Sequence, residues 1–267
     1  MQQAKTYRII DAHTHIFPHK IAAKAANSIG EFYNVPMSSE GSVERLLESG
    51  AQIGTERYLV CSTATRPEQV QSINDFVAAE CDAHPEFFGL GTLHPHFGEN
   101  LSEIERILSL GLHGIKFHPD FQTFDIDDPA MMPVYEALEG RLPILFHMGD
   151  DRYDYSAPAR LVKVAKAFPR LQLQAAHFGG YRRWQEADVY EDCPNIFFDT
   201  SSALFMLSPQ EAAELIRKFG HQRFLFGTDF PMWDHREELE RFMTIPLTEA
   251  EREDIFANNF ERIYLNR

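Results

Sequence analysis

His13 and His15 stand one residue apart at the end of the first apolar run of the chain, read as a strand over Arg8–His13. Residues i and i+2 of a strand point to the same side. Two imidazoles at the end of an inward-facing strand therefore converge on one point, and imidazole is the commonest protein ligand for zinc-like metals. Asp11 has the same parity one step deeper, where its carboxylate is expected to orient one ring. The same placement recurs along the chain. His118 ends Gly114–Phe117 and precedes Pro119; His147 ends the apolar run Pro143–Phe146. His177 ends Gln172–Ala176 ahead of Gly179-Gly180, which would let the backbone approach a bound group. Asp229 ends Phe224–Thr228 and is followed by Phe230-Pro231. One histidine at a strand end is usually a satisfied turn residue. Five strands that each stop at such a group predict a shared metal site.

The elements that must position these groups are short. Strands are expected at Arg8–His13, Arg57–Ser62, Phe87–Leu93, Gly114–His118, Pro143–His147, Gln172–His177, Ile196–Thr200 and Phe224–Asp229. Amphipathic stretches lie between them. Glu68–Ala83 follows Pro67, a good first-turn residue. Ser102–Leu110 opens as Ser-x-x-Glu, a capping box. Pro158–Phe168 and Gln210–Phe219 repeat apolar residues at helical spacing, the latter behind Ser208-Pro209. Strand alternating with helix points to an α/β fold with a parallel sheet. Eight such units within 267 residues match a single (β/α)₈ TIM barrel, taken as one domain over 1–267. A doubly wound open sheet would offer a Gly-rich phosphate turn after its first strand, where this chain has Thr-His-Ile-Phe-Pro. The long stretch from Thr14 to about Glu56 predicts an inserted helix and loop over one end of the barrel, a candidate lid. The tail, Leu247–Leu265, predicts an amphipathic helix with Ile255, Phe256, Phe260 and Ile263 on one face, sealing the barrel bottom or packing on its outer ring.

At this point the sequence resembles the metal-dependent amidohydrolase superfamily, in its amidohydrolase 2 branch. The resemblance rests on Ile10-Asp11-Ala12-His13-Thr14-His15, Gly114-Ile115-Lys116-Phe117-His118-Pro119 and Phe146-His147-Met148-Gly149. It continues through Ala176-His177-Phe178-Gly179-Gly180, Gly227-Thr228-Asp229-Phe230-Pro231 and the closing helix with Asn258-Asn259. It implies a (β/α)₈ barrel around a catalytic metal, with zinc the expected ion. His13, His15, His147 and Asp229 would be ligands, and His177 either a further ligand or the general acid/base. The superfamily also has two-metal sites bridged from the fourth strand; one metal is favoured here, because His118 rather than Lys116 stands nearer the strand tip. Lys116 then holds a substrate carboxylate or carbonyl, or is salt-bridged inside the barrel to Asp11 or Asp229.

Such a centre lowers the pKa of its bound water toward neutrality, and the leading expectation is a hydrolase of an amide, ester or lactone, with Asp229 serving both metal and water. The alternative is a lyase, a non-oxidative decarboxylase of an aromatic or enol acid. Decarboxylation asks for a cationic clamp, and Arg66, Arg152, Arg182 and Arg183 follow the strands that could present one. Tyr155 is among the aromatic residues placed to line a pocket. His94 and His96 follow the third strand, and His96 is read as simply ending it.

Composition narrows the partners. Asp and Glu number 40 against 25 Lys and Arg, a net charge of −15 that repels nucleic acid overall. No apolar run is long enough for a membrane span, nor does the start of the chain read as a signal peptide. Cys61, Cys81 and Cys193 are far apart without metal spacing, which predicts reduced thiols and a cytoplasmic protein. A small-molecule substrate is the expected partner, with a homodimer the default assembly.

Overall fold

The computed structural model describes residues 7–265. The first residues of the stretch read as lacking a signal peptide, and the ends of the 1–267 span, lie outside the described residues. Among the described residues there are nine short strands: β1 (Ile9–His15), β2 (Thr55–Cys61), β3 (Phe87–Gly89), β4 (Gly91–Thr92), β5 (Ile115–Phe117), β6 (Ile144–Phe146), β7 (Leu173–Ala175), β8 (Ile196–Asp199) and β9 (Phe224–Leu225). Each pairs in parallel with the next along β1-β2-β3 and along β4 to β9. The third expected strand is thus broken at Leu90. The Leu90 N–H donates to Val60 on one side and the Gly91 N–H to Gly114 on the other, so the backbone changes neighbour there. The ring closes where Ala12 N donates to Phe226 O, Asp229 N to His13 O and His15 N to Phe230 O. The fold is the expected eight-position parallel barrel.

The helices are α1 (His19–Tyr33), α2 (Val43–Ala51), α3 (Val70–Ala83), α4 (Asn100–Ser109), α5 (Pro119–Gln122), α6 (Met132–Leu138), α7 (Pro158–Ala167), α8 (Pro209–Phe219), α9 (His235–Met243) and α10 (Glu249–Glu253). The long first connection holds two of them, with α2 packed beside α9 and α1 as the insertion, lining the barrel mouth. Ser208 caps α8 ahead of Pro209, as expected, and also forms a capping box with Glu211. The box expected at Ser102 does not form: α4 begins earlier, at Asn100, and the Ser102 hydroxyl donates to Glu99 O within the first turn. No helix among the described residues is long and apolar enough to cross a membrane.

Burial on both faces makes the strands largely apolar, as a parallel sheet favours, with polar side chains such as Lys116 and Gln174 held inside by hydrogen bonds. Ile10, Leu59, Phe88, Leu90, Leu145, Phe197 and Leu225 fill the interior together with Phe260, Ile263 and Tyr264 from the chain's end. The C-terminal segment therefore seals the barrel floor. It is not one regular helix: after α10 it widens into π turns at Asp254–Asn258 and Glu261–Leu265. The Ile255 carbonyl accepts the Phe226 N–H, and the Asn259 amide donates to His221 and Phe224 carbonyls. These tertiary bonds tie the widened turns to the barrel.

Candidate metal and catalytic site

The strand-end groups meet above the apolar interior. Nitrogen of His13, nitrogen of His15 and a carboxylate oxygen of Asp229 lie within 4.8 Å of one another. His15 Nε2 is 3.2 Å and His13 Nε2 3.5 Å from Asp229 Oδ1. The other Asp229 oxygen accepts from Ser202 Oγ at 2.6 Å. Burial alone would raise the Asp229 pKa, but His13, His15 and His177 hold it well below the usual carboxylate range.

Asp199, at the tip of β8, orients the rings. Its Oδ2 accepts from His13 Nδ1 at 3.1 Å, and its Oδ1 accepts the Ser201 hydroxyl at 2.5 Å. Ser201 in turn presents its carbonyl and Oγ, each at 3.0 Å, to His177 Nδ1. A carbonyl only accepts, so His177 carries its proton on Nδ1 and leaves a lone pair on Nε2. That atom takes the His147 Nδ1–H at 3.0 Å. His147 Nε2 then accepts the Tyr33 hydroxyl at 3.2 Å, while His118 Nε2 donates to the same oxygen at 2.9 Å. His118 Nδ1 is occupied by the Phe121 N–H, capping α5. Burial lowers the pKa of His13, His118 and His147 and brings His177 down to about 4. These four rings are thus neutral at pH 7, the form in which imidazole gives a lone pair to a metal; burial would lower the His15 pKa too, but Cys61 and Asp229 raise it to about 9.

Two of the site residues sit in strained backbone. His177 (φ 60°) and Asp229 (φ 59°) are in the left-handed region, which costs a non-glycine residue about 1–3 kcal/mol and clusters at functional sites. The glycines beside His177 have a different use from the one expected. A Cβ on Gly149 would stand 2.5 Å from Gly180, so here two loops touch backbone to backbone where a bound group was expected.

The other expected residues divide. Lys116 is fully buried with its ammonium nitrogen 3.0 Å from His13 Nε2, and burial lowers its pKa. Its nearest polar group is therefore His13, in place of the expected salt bridge to Asp11 or Asp229. Asp11 does not touch the His13 ring: its carboxylate accepts from the His13 N–H, from Thr228 N and Oγ1, and faces His235 Nε2 at 3.1 Å. It ties β1 to the closing strand, and Asp199 has the orienting role assigned to it. His147 stands beside the three-ligand cluster, in a second group with His118 and Asp120. Arg66 is exposed and paired with Glu68; Arg152 is paired with Asp150 and lies 4.0 Å over the Phe32 ring. Arg182 approaches Asp151 at 3.9 Å, and Arg183 binds Asp154 and Glu186. Tyr155 stacks on Tyr153. None of these five reaches the cavity wall, because acidic neighbours or loop packing hold them outside it. His94 is buried against the His96 N–H, also away from the cavity.

The site opens into a cavity of about 600 Å³ walled by the histidines, Lys116, Asp229, Tyr181 and apolar side chains of α1 and α3. The profile of the family described as Amidohydrolase matches residues 10–265. The chain belongs to the amidohydrolase family. A 2-amino-3-carboxymuconate-6-semialdehyde decarboxylase of Dictyostelium discoideum is 36% identical over 72 residues, which are 26% of this chain and 20% of that protein. The matching segment thus spans about a fifth of that relative. A 5-carboxyvanillate decarboxylase from Sphingomonas paucimobilis superposes with a TM-score of 0.74 at 18% identity, covering 96% of this chain and 98% of that one. A dihydroxybenzoic acid decarboxylase from Polaromonas sp. JS666, solved with manganese and 2-nitroresorcinol, gives 0.74 at 17% identity and 98% of each chain. Hydrolysis of an amide, ester or lactone is corrected on this finding: these relatives of the amidohydrolase family are named decarboxylases.

Proposed function

We propose that this protein is a metal-dependent, non-oxidative decarboxylase of a small aromatic or enolic carboxylic acid. The observation that carries the reading is the cluster of His13, His15 and Asp229 beside His177, at the floor of a largely apolar cavity. Two imidazoles and a carboxylate suit a divalent transition metal, and their outer partners Asp199, Ser201 and Ser202 supply the orientation such ligands need. His147 would be a fourth ligand, through the Nε2 lone pair that now accepts the Tyr33 hydroxyl. Zinc fits the donors; manganese is the ion named in the Polaromonas structure. When bound, the cation supplies a positive centre that anchors the substrate's carboxylate and neighbouring oxygen.

The chain's own residues supply the proton chemistry. His177 is neutral with its Nδ1–H held by Ser201, so Nε2 carries the lone pair and is the base once the bond it accepts from the His147 N–H is given up to substrate. It takes the proton of the substrate's hydroxyl and delivers it to the carbon that bears the carboxylate. The bond to the carboxylate carbon breaks, its electron pair stays on the substrate carbon, and carbon dioxide leaves. The substrate oxygen regains a proton from water. Tyr181 and the α1 side chains keep bulk water off that carbon.

The test is a panel of hydroxybenzoic and enolic acids, alongside lactones, incubated with metal-loaded protein. Carbon dioxide release from an acid is the expected result. Lactone opening with no carbon dioxide from any acid would overturn the reading.

A further inference from the structure

The cavity is larger than chemistry on one ring requires. A cavity of roughly 150 Å³ holds a benzene molecule, whereas this one measures about 600 Å³. Beyond the histidine floor its walls come from α1 and α3. On α1, Ala22, Ala26 and Tyr33 are buried, as one face of a docked helix should be. Ile21, Ala25, Ile29 and Phe32 form a second stripe, turned about 100° around the axis, and they line the cavity. Ile21, at the outer end of the stripe, is 51% exposed. Across from them Ile73 and Phe76 of α3, spaced to share one helical face, line the same space half-buried. Scattered exposed apolar residues are ordinary. Here the exposed one continues a stripe that runs inward to the reaction site.

Charge says what this channel excludes. Among the described lining residues the Lys or Arg is Lys116, at the floor beside His13. A second carboxylate held in the channel would meet the hydroxyls of Ser28, Thr65 and Ser72 and the Gln69 side chain but no cation, so an uncharged arm is favoured there.

We infer that the substrate is a monocarboxylic acid whose ring or enol carries an uncharged alkyl or aryl arm, and that the channel between α1 and α3 binds that arm. The inference rests on the reading of the floor as a decarboxylation centre. Ala25 and Ile73 determine specificity by contact with the arm, and Ile21 forms its rim.

The experiment is calorimetric titration of metal-loaded protein with 2-hydroxybenzoic acids that carry hydrogen, methyl, propyl or pentyl opposite the carboxyl, and with one that carries a carboxymethyl group there. Carbon dioxide release from each acid is followed in parallel. Affinity should rise about fourfold per methylene through the propyl compound, the increment for a buried CH₂, and the carboxymethyl acid should bind more weakly than the methyl one. Ala25→Trp, at a half-exposed position, should flatten the series by filling the channel. Ile21→Ser, at the exposed rim, should remove the gain from propyl to pentyl and leave the gain from hydrogen to methyl. A flat or falling series in the native chain, or no binding of any member, overturns the inference. So does a series that rises equally in Ala25→Trp. A rising series with no carbon dioxide from any acid supports the channel and sinks decarboxylation. Release from the unsubstituted acid with a flat series does the reverse.

Discussion

Asp199 Oδ2 lies 3.1 Å from His13 Nδ1 and also accepts the Gln174 side-chain amide at 2.7 Å, while Gln174 Oε1 accepts the Tyr264 hydroxyl at 2.6 Å. A line of hydrogen bonds thus runs from the C-terminal plug, across the barrel interior, to the back of a candidate metal ligand. Its polarity is set at each step: Tyr264 donates, Gln174 donates onward, and the carboxylate accepts from both sides. The carboxylate holds His13 with its proton on Nδ1 and its lone pair on Nε2 toward Asp229. Burial pushes the Asp199 pKa up, but His13, His177 and Ser201 pull it well below the usual range. It therefore stays an acceptor at any working pH.

Asp199→Asn tests that assignment. The amide has the same shape but can present N–H to His13, which favours the wrong tautomer. Metal affinity, measured by competition with a chromogenic chelator, should fall by about 10–100-fold, with an unchanged circular dichroism spectrum. Unchanged affinity would remove Asp199 from the site's machinery.

Metal removal is the second check. Protein purified without chelators should contain about one divalent transition ion per chain, read by elemental analysis. Dialysis against chelator should abolish turnover, and zinc or manganese should restore it. Asp229→Asn tolerates the same left-handed backbone and should fold, but lose most of the metal. Activity that survives complete removal of metal would end the proposed chemistry.

Base and ligand roles separate at His177. The ring bonds Ser201 and His147 and stands outside the His13, His15 and Asp229 group, although it forms another close group with His13 and Asp199. His177→Asn should lower kcat by about 10²–10⁴-fold, the usual worth of a positioned acid or base, while metal content stays near that of the native chain. Loss of metal in step with activity would make His177 a ligand instead.

Much of this was legible in the sequence because a barrel strand buried on both faces reads as an apolar run, and a polar residue at its end stands out. His13, His15, His118, His147, His177 and Asp229 all announced themselves that way, and all line one cavity. Asp199 ends Ile196–Phe198 by the same rule, and the strand reading that ran on to Thr200 passed over it. Asp11 misled for a physical reason: the β1 register shifts between Asp11 and Thr14, so simple parity does not carry through to the histidines. Tyr33 had no local signal, since its meaning lies in partners 85 and 114 residues away. Arg66 and Arg152 illustrate the same limit. A loop arginine is committed by whichever carboxylate folds beside it, and Glu68 and Asp150 are already close in sequence.

Glu238 on α9 gives a pH dependence apart from the metal-binding side chains. It is buried, with Arg241 bonded to Oε1 and no partner for Oε2. Burial raises its pKa to about 8 from 4.5, more than Arg241 lowers it. The folded chain therefore binds this proton more tightly than the unfolded chain does. Its stabilising contribution is complete below pH 4.5 and is lost as pH rises through about 8, at no more than about 1.4 kcal/mol per pH unit. Glu238→Gln retains an acceptor for Arg241 without an ionisable group. The urea midpoint of the native chain should fall between pH 6 and pH 9 relative to that of Glu238→Gln, so the variant gains on it at the alkaline end. Parallel midpoints for the two chains across that range would show that Glu238 is already ionised in the fold.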